Sequence, residues 1–509
     1  AKSERFIVRM RRTQSAVLEP IIPPFLEASF AELSARYGYT PKVPVLVEVF
    51  ARAKDFSVRT MGTEGLGALG VCFGPTVYMY VMQAKPGEHP PFAWAGTAHH
   101  ELAHVFTLQL SRGRTPRWLT EGMSTWEEVR RNPAWGRDLE LEMHDAIAND
   151  KVFKVMEFDS GFHGPRIIFA YYQGGLACEW LESTFGVAKI VEMLKLYGDD
   201  KLTPEVLKAA LGITPSEFDA RFLEFVKKKI AALKRIPTFD DEKMESATKA
   251  IQEGTDIVEN RLRLLWGYHR RDKAFDADTV LKELDPGVVK DPRLVLFLAE
   301  RAARNKAKDL ALKHYQEALA LGALDFDMFL WLAQHFEEDG DSAKASDFFK
   351  KADECHPWII DPRRSPKLAL ARLAKAQGDL DAAMQHLSDF CGLVETAVGP
   401  RMELAEWFAK KGDHARALRY RREIAEINPF DSEIHLAIAV EEEALSHLEL
   451  AGRALEVALA AAGENRTLEV KVRLRLGKLA ADANRIDDAI FHCERVIEID
   501  PGNKEARAL

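Results

Sequence analysis

The chain has 509 residues, more than one hydrophobic core can organise, so about two to four domains are expected. Hydrophobic residues make up 47% and charged residues 29%, as in an ordinary soluble protein, and no low-complexity block interrupts them. The net charge of -9 and the lack of a long basic run exclude a nucleic-acid partner, and no apolar run approaches the roughly 20 residues that span a bilayer.

The five cysteines (Cys72, Cys178, Cys355, Cys391 and Cys493) are scattered and lack any C-x-x-C spacing. That excludes a dense disulfide framework and a cysteine-built zinc site. The chain opens on AKSERF, with neither an initiator methionine nor a signal peptide. A removed leader or a fragment is the expectation, which leaves the compartment open, periplasmic or extracellular export included.

Residues 1 to about 235 mix strand and helix patterns. PVLVEVF (44–50) and GVCFGPTVYMY (70–80) are rich in β-branched and aromatic residues and bounded by Pro and Gly, which predicts strands. SAVLEPIIPPFLEASFAELSARYG (15–38) carries a helix in its second half, where Phe25, Phe30, Leu33 and Tyr37 recur at helical intervals. From about residue 96 helices dominate.

GTAHHELAHVFTLQL (96–110) holds the chemistry. A four-residue step on a helix overshoots one turn by roughly 40°, so His100 and His104 share a face and can offer imidazole nitrogens to one metal. Glu101 lies one position around, placed to hold a metal-bound water without ligating. A catalytic zinc site wants a third protein ligand. In TPRWLTEGMSTWEE (115–128), Glu121 sits on a second helical pattern whose apolar side is Trp118, Leu119, Met123 and Trp126. Pro116 breaks the chain between the two helices, and packing one on the other would bring Glu121 to the imidazoles. No histidine stands about six residues after His104, which disfavours a three-histidine site. His99 points about 100° away from His100 and is read as structural.

HHELAH followed by PRWLTEG resembles the gluzincin zinc metallopeptidases, in particular the peptidase MA-like domains found fused to tetratricopeptide arrays. The likeness to the aminopeptidase N family extends to AYYQGGLACEWLESTFG (170–186), where Tyr171, Gln173 and Gly174 fall on that family's Tyr-x-Lys-Gly element. The resemblance covers about residues 40 to 225. It implies one Zn2+ per chain held by His100, His104 and Glu121, with Glu101 as general base. Tyr171 matches the phenol that stabilises the oxyanion, although the adjacent Tyr172 is an alternative. Glu127 and Glu128 are candidates for orienting the zinc-bound imidazoles. The exopeptidases of that family carry Gly-x-Met-x-Asn on an edge strand, with a glutamate nearby to hold the substrate's amino terminus. GLGALGVCFGPTVYMY (65–80) has no acidic residue, and its glycines leave backbone for an extended peptide, which points to an endopeptidase.

Two further segments read more simply. FKVMEFDSGFHGPR (153–166) is a glycine-containing loop whose His163 is taken as a surface residue. LGITPSEFDARFLEFVKKK (211–229), with Ser216 ahead of an acidic first turn, is read as the capped last helix of this domain.

Beyond about residue 240 the chain reads as helix after helix. FLWLAQHFEEDGDSAKASDFFKKADECHP (329–357) places Leu332, Ala333, Phe336, Gly340, Ala345, Phe349, Ala352 and Pro357 on the 34-residue tetratricopeptide pattern. The phase returns at Leu298/Ala299 with Ala311, Tyr315 and Ala318, and at Leu370/Ala371 with Gly378 and Ala383. It returns again at Leu404/Ala405 with Phe408, Gly412 and Ala417, and at Leu476/Gly477 with Ala489 and Pro501. A degenerate unit is expected over 433–465. The array stops without a polar capping helix, which leaves open a continuation past Leu509.

The expected architecture is therefore an α+β metallopeptidase-like domain over 1–235, a small sheet plus helices. A helical linker or degenerate repeat (236–290) and an all-α tetratricopeptide solenoid (291–509) follow. The expected function is zinc-dependent hydrolysis of peptide bonds, with the repeats binding a substrate or partner protein. The competing reading is an inactive metallopeptidase-like scaffold for protein–protein interaction.

Overall fold

Four short strands form one sheet: Phe6–Arg9 (β1), Val45–Phe50 (β2), Gly70–Phe73 (β3) and Thr76–Tyr80 (β4). Their order is β1-β2-β4-β3, with β1, β2 and β4 parallel and β3 antiparallel to β4. The computed structural model describes residues 1–84, 88–285 and 287–509. PVLVEVF is β2, as expected, with Val45, Val47 and Val49 turned into the core. GVCFGPTVYMY is two strands rather than one, because Gly74 takes a left-handed φ of 66° and Pro75 has no N–H for a ladder. β1 escaped the sequence reading: four residues with only Phe6 and Val8 buried are too short for a pattern to emerge.

Arg12–Leu18 (α1) and Ile22–Tyr37 (α2) follow β1, and α2 is the helix read from Phe25 to Tyr37. Its prolines sit in the first turn, where a missing N–H costs nothing, and Gly38 ends it in the left-handed region at φ 57°. Ala53–Met61 (α3) covers the sheet through Phe56, which packs with Tyr80 and Phe92. Trp94–Leu110 (α4) lies against β3, β4 and α2, its Phe106 ring meeting both Phe30 and Tyr37. Arg117–Arg131 (α5) packs along α4. Glu140–Ala148 (α6), Ile167–Phe185 (α7) and Val187–Gly198 (α8) follow in this part of the chain. The helix Pro215–Lys229 is capped as expected, but by Thr214 rather than Ser216. The Thr214 hydroxyl accepts from the Glu217 N–H at 3.2 Å while Glu217 accepts from the Thr214 N–H at 2.8 Å.

The remainder is paired helices. Each pair turns on one residue in the left-handed region: Asp272, Lys306, Gly340, Gly378, Gly412, Ser446 and Asn484, every one 34 or 38 residues from the next. Glycine marks only three of them, so a glycine-based pattern passes over the rest. Ser446 turns the degenerate unit, whose helices are Ser432–Ala444 and Leu448–Ala461. Asp272 turns the pair Ile257–Arg270 and Ala274–Leu281, within the stretch expected to be a linker or degenerate repeat. Ala299, Ala311, Ala318, Ala333, Ala345 and Ala352 are all fully buried, since only a methyl group fits where the helices of a pair approach.

The chain folds into two compact units that cut across the motif boundaries at 235 and 290. One comprises residues 1–136, 181–212 and 387–509; the other comprises 137–180 and 213–386. In the first, the last repeats are part of the body that carries α4. Ala93, at the start of α4, is buried in one cluster with Val398, Leu418, Ile424, Ile427, Ile434 and Ile438. Ala93 offers α4 no side-chain cap, and its N–H donates to Glu395 Oε2 at 3.3 Å. In the second unit, one continuous core runs from Leu262 to Leu373 through Trp266, Phe297, Phe326 and Phe349. Among the described residues no helix is long and apolar enough to cross a membrane.

Because residues 387–509 share a core with α4, removing them should damage the first unit. Ile424→Ala, at a site with 1% exposure, should cost about 2–5 kcal/mol. Urea unfolding checks the loss, and limited proteolysis should show earlier cleavage around residues 88–93.

Candidate metal centre

α4 is buried around nearly its whole circumference, so its polar residues are committed to the interior: His99, His100, Glu101, His104 and Thr107 are all buried. The chain leaves α4 through Arg112 and Gly113, both in the left-handed region, and Pro116 caps α5 with extended backbone. α5 then returns along α4 and delivers Glu121 one turn in.

Three atoms converge. His100 Nε2 lies 3.1 Å from His104 Nε2, and Glu121 Oε2 lies 3.1 Å from His104 Nε2 and 3.4 Å from His100 Nε2. Atoms bound to a tetrahedral ion at about 2.0–2.1 Å sit roughly 3.3–3.4 Å apart, so this triangle has the size that a zinc ion requires.

The remaining nitrogens decide the chemistry of the three atoms. His104 Nδ1 lies 2.8 Å from Thr120 Oγ1, which lies 2.7 Å from Thr107 Oγ1, and that hydroxyl donates to the His104 carbonyl at 3.3 Å. Followed from the carbonyl backwards, the chain has one consistent direction: Thr107 donates to the carbonyl, Thr120 to Thr107, and His104 Nδ1–H to Thr120. Nε2 of His104 is then a bare lone pair. His100 Nδ1 lies 2.7 Å from Glu128 Oε1, which calls for a proton on that nitrogen. Arg117 Nε donates to Glu121 Oε1 at 3.3 Å, leaving Oε2 to face the histidines. Three acceptors thus meet in a buried space, and a cation is the group that fits among them.

Without a cation, protons take its place. Burial works against charge on His100, but Glu128 and Glu121 outweigh it and push the imidazole up to about 10. Burial would raise Glu121, yet His104 and His100 hold it well below the usual carboxylate range. Glu101 is raised to about 7 by burial, with His100 and His104 opposing, and its buried Oε2 has no hydrogen-bond partner among the described residues.

His100, His104 and Glu121 are therefore brought together, with Glu101 beside them. Glu128 reaches an imidazole, whereas Glu127, one position on, is turned away. It accepts from Arg36 Nε at 2.6 Å, from the Tyr37 hydroxyl at 3.0 Å and from Arg130 Nε at 2.9 Å. His99 also points away and accepts from Arg131 at 3.3 Å on Nδ1. Tyr171 belongs to the second unit, its ring edge-on to Phe162 at 5.2 Å and under the Arg137 guanidinium at 5.3 Å. Tyr172 is buried beside Glu140, which together with burial pushes its phenol far up. Gln173 clamps the Phe153 backbone from both its amide atoms. Within FKVMEFDSGFHGPR, Phe158–His163 is a short 3-10 helix and His163 is exposed.

The sequence reading missed Thr120, Thr107, Arg117 and Gly70. Thr107 follows His104 by three positions and Thr120 immediately precedes Glu121, so helical spacing carried a signal for both.

One family model matches the chain, a tetratricopeptide repeat over residues 470–503. A search of curated proteins finds no match. Among solved structures, the C-terminal part of a TPR repeat-containing protein from Cytophaga hutchinsonii is 14% identical, covering 48% of this chain and 98% of its own, with a TM-score of 0.30. MamA from Desulfovibrio magneticus is 16% identical, covering 35% and 97%, with a TM-score of 0.25. YrrB, described as a TPR protein with an unusual peptide-binding site, is 14% identical, covering 38% and 96%, with a TM-score of 0.28.

Two results are expected at the metal centre. Thr120→Val leaves the His104 Nδ1–H without an acceptor and should weaken zinc binding about 10–100-fold in a chelator competition. His100 must lose its proton to bind the ion, so apparent affinity should rise with pH throughout the range below about 10. Calorimetric titration in buffers of different ionisation enthalpy should count at least one proton released per zinc.

Proposed function

We propose that the chain is a zinc-dependent peptidase of the gluzincin type, an endopeptidase whose repeats bind substrate or partner proteins. The observation that carries this reading is the convergence of three buried acceptors beside a carboxylate with a free oxygen. His100, His104 and Glu121 would hold the ion, which when bound acidifies a coordinated water and polarises a carbonyl. Glu128 and Thr120 keep the imidazoles oriented, and Arg117 keeps Glu121 turned. Glu101 would take the water's proton on Oε2 and return it to the leaving amine. The resemblance matches Tyr171 to the phenol that stabilises the oxyanion, with the adjacent Tyr172 as the alternative. β3 is an edge strand beside Glu101, and an extended peptide can pair with its free edge.

The tetratricopeptide match supports a second reading, a scaffold for protein–protein interaction whose metal centre does not cleave. Zinc content and casein hydrolysis of the wild type beside Glu101→Gln separate the two. The peptidase reading expects one zinc in both proteins and a loss of about 10²–10⁴-fold in kcat for the variant. Zinc in both with cleavage in neither supports the scaffold. No zinc in either, with none taken up on addition, overturns the metal centre. Tyr171→Phe and Tyr172→Phe, each assayed for kcat with zinc content checked, test the implied phenol: substitution of the residue that carries it should lower kcat with zinc retained.

A further inference from the structure

We propose that Gly70 is a positioning residue for Glu101: the missing side chain on the edge strand gives the carboxylate its place. A Cβ built at Gly70 would lie 2.5 Å from Glu101 Cγ, 2.7 Å from Oε1 and 2.9 Å from Cδ. Real Cβ contacts do not come that close, so any other residue at 70 must displace either the strand or Glu101.

Gly70 is not a turn glycine. It is the first residue of β3, pairs with Met79, and takes no left-handed φ, so its backbone would accept alanine. Conformational freedom does not explain it, and close approach does.

The strand cannot readily give way. β3 is fixed to β4 through four successive residue pairs and packs on α4. Glu101 is the softer partner, because no hydrogen bond from a described residue holds its Oε2. The close backbone of Gly70 supplies the wall that a polar partner would otherwise provide, and it leaves Oε2 available. A methyl group at 70 would push the side chain off this rotamer from Cγ outward. The three atoms nearest that methyl group all belong to Glu101 and none to His100, His104 or Glu121, so zinc binding should be retained.

This role rests on the peptidase reading for its effect on turnover, but its geometry can be tested apart from turnover. The experiment is a double-mutant cycle on the full chain, with thermal midpoint, zinc stoichiometry and casein hydrolysis measured for each protein. Gly70→Ala should lower the midpoint by several degrees in the wild-type background and change it little in the Glu101→Ala background, where the clashing atoms are gone. Gly164→Ala, outside this segment with extended backbone and nothing within 4 Å of its Cβ, should leave midpoint, zinc and turnover unchanged. Zinc should stay at one equivalent in Gly70→Ala while kcat falls at least tenfold and KM moves little. An equal drop in midpoint in both backgrounds would overturn the proposal, as would full kcat in Gly70→Ala. If Gly70→Ala alone does not fold, Gly70→Ala/Glu101→Ala must still fold like Glu101→Ala for the proposal to stand. A wild type that binds zinc but cleaves nothing removes the peptidase reading alone, and the cycle still decides what Gly70 does.

Discussion

Three lone pairs facing one another in a buried space are the constraint on which the first unit depends. His100 Nε2, His104 Nε2 and Glu121 Oε2 stand within 3.4 Å of each other and none can donate to another while the outer nitrogens keep their protons. Such an arrangement is unfavourable unless a cation or extra protons fill it, and it persists only because the surroundings are rigid. The rigidity has identifiable sources. α4 is held by the sheet, α2 and α5, with Phe106 fixed between Phe30 and Tyr37. The outer nitrogens are held by Glu128 and by the Thr120–Thr107 pair, so neither ring can turn to relieve the crowding.

Around this core lies a belt of ion pairs on the far side of α5. Arg36 joins the fully buried Glu127 to Glu182, and Trp126 donates to the same Glu182 at 2.5 Å. Burial would disfavour the charge on Arg36, but its two carboxylates raise it, so the guanidinium stays charged. A buried pair of this kind specifies geometry more than it adds stability. It fixes the rotation of α5 about its axis, which is what presents Glu121 and Glu128 to the histidines and Glu127 to the arginines.

The repeats enter the same body. Ala93 opens α4 without a side chain able to cap it, and the cap comes from Glu395, some three hundred residues on. The apolar cluster around Ala93 is built almost wholly from the repeats between Val398 and Ile438. The array is therefore no loosely tethered appendage in that stretch, and the position of α4 depends on it.

Much of this was legible before folding. H-E-x-x-H works through the pitch of a single helix, so His100, Glu101 and His104 could be placed from spacing alone. Glu121 followed because a breaker and a second amphipathic pattern left one way for the helix to return. The repeats declared themselves through alanines that must be small wherever the neighbouring helix lies. What stayed hidden was everything set by the rotation or approach of distant segments. Adjacent residues Glu127 and Glu128 differ by about 100° on α5, and only packing decides which meets an imidazole. Gly70 is one of many glycines until β3 is seen against Glu101. The left-handed turns at Asp272, Lys306, Ser446 and Asn484 lack glycine, and the period that reveals them needs the backbone. The division into two units belongs to tertiary structure entirely, since burial joins residues by proximity in space and ignores their order in the chain. Local periodicity determined which residues could act together; long-range packing decided which of them do.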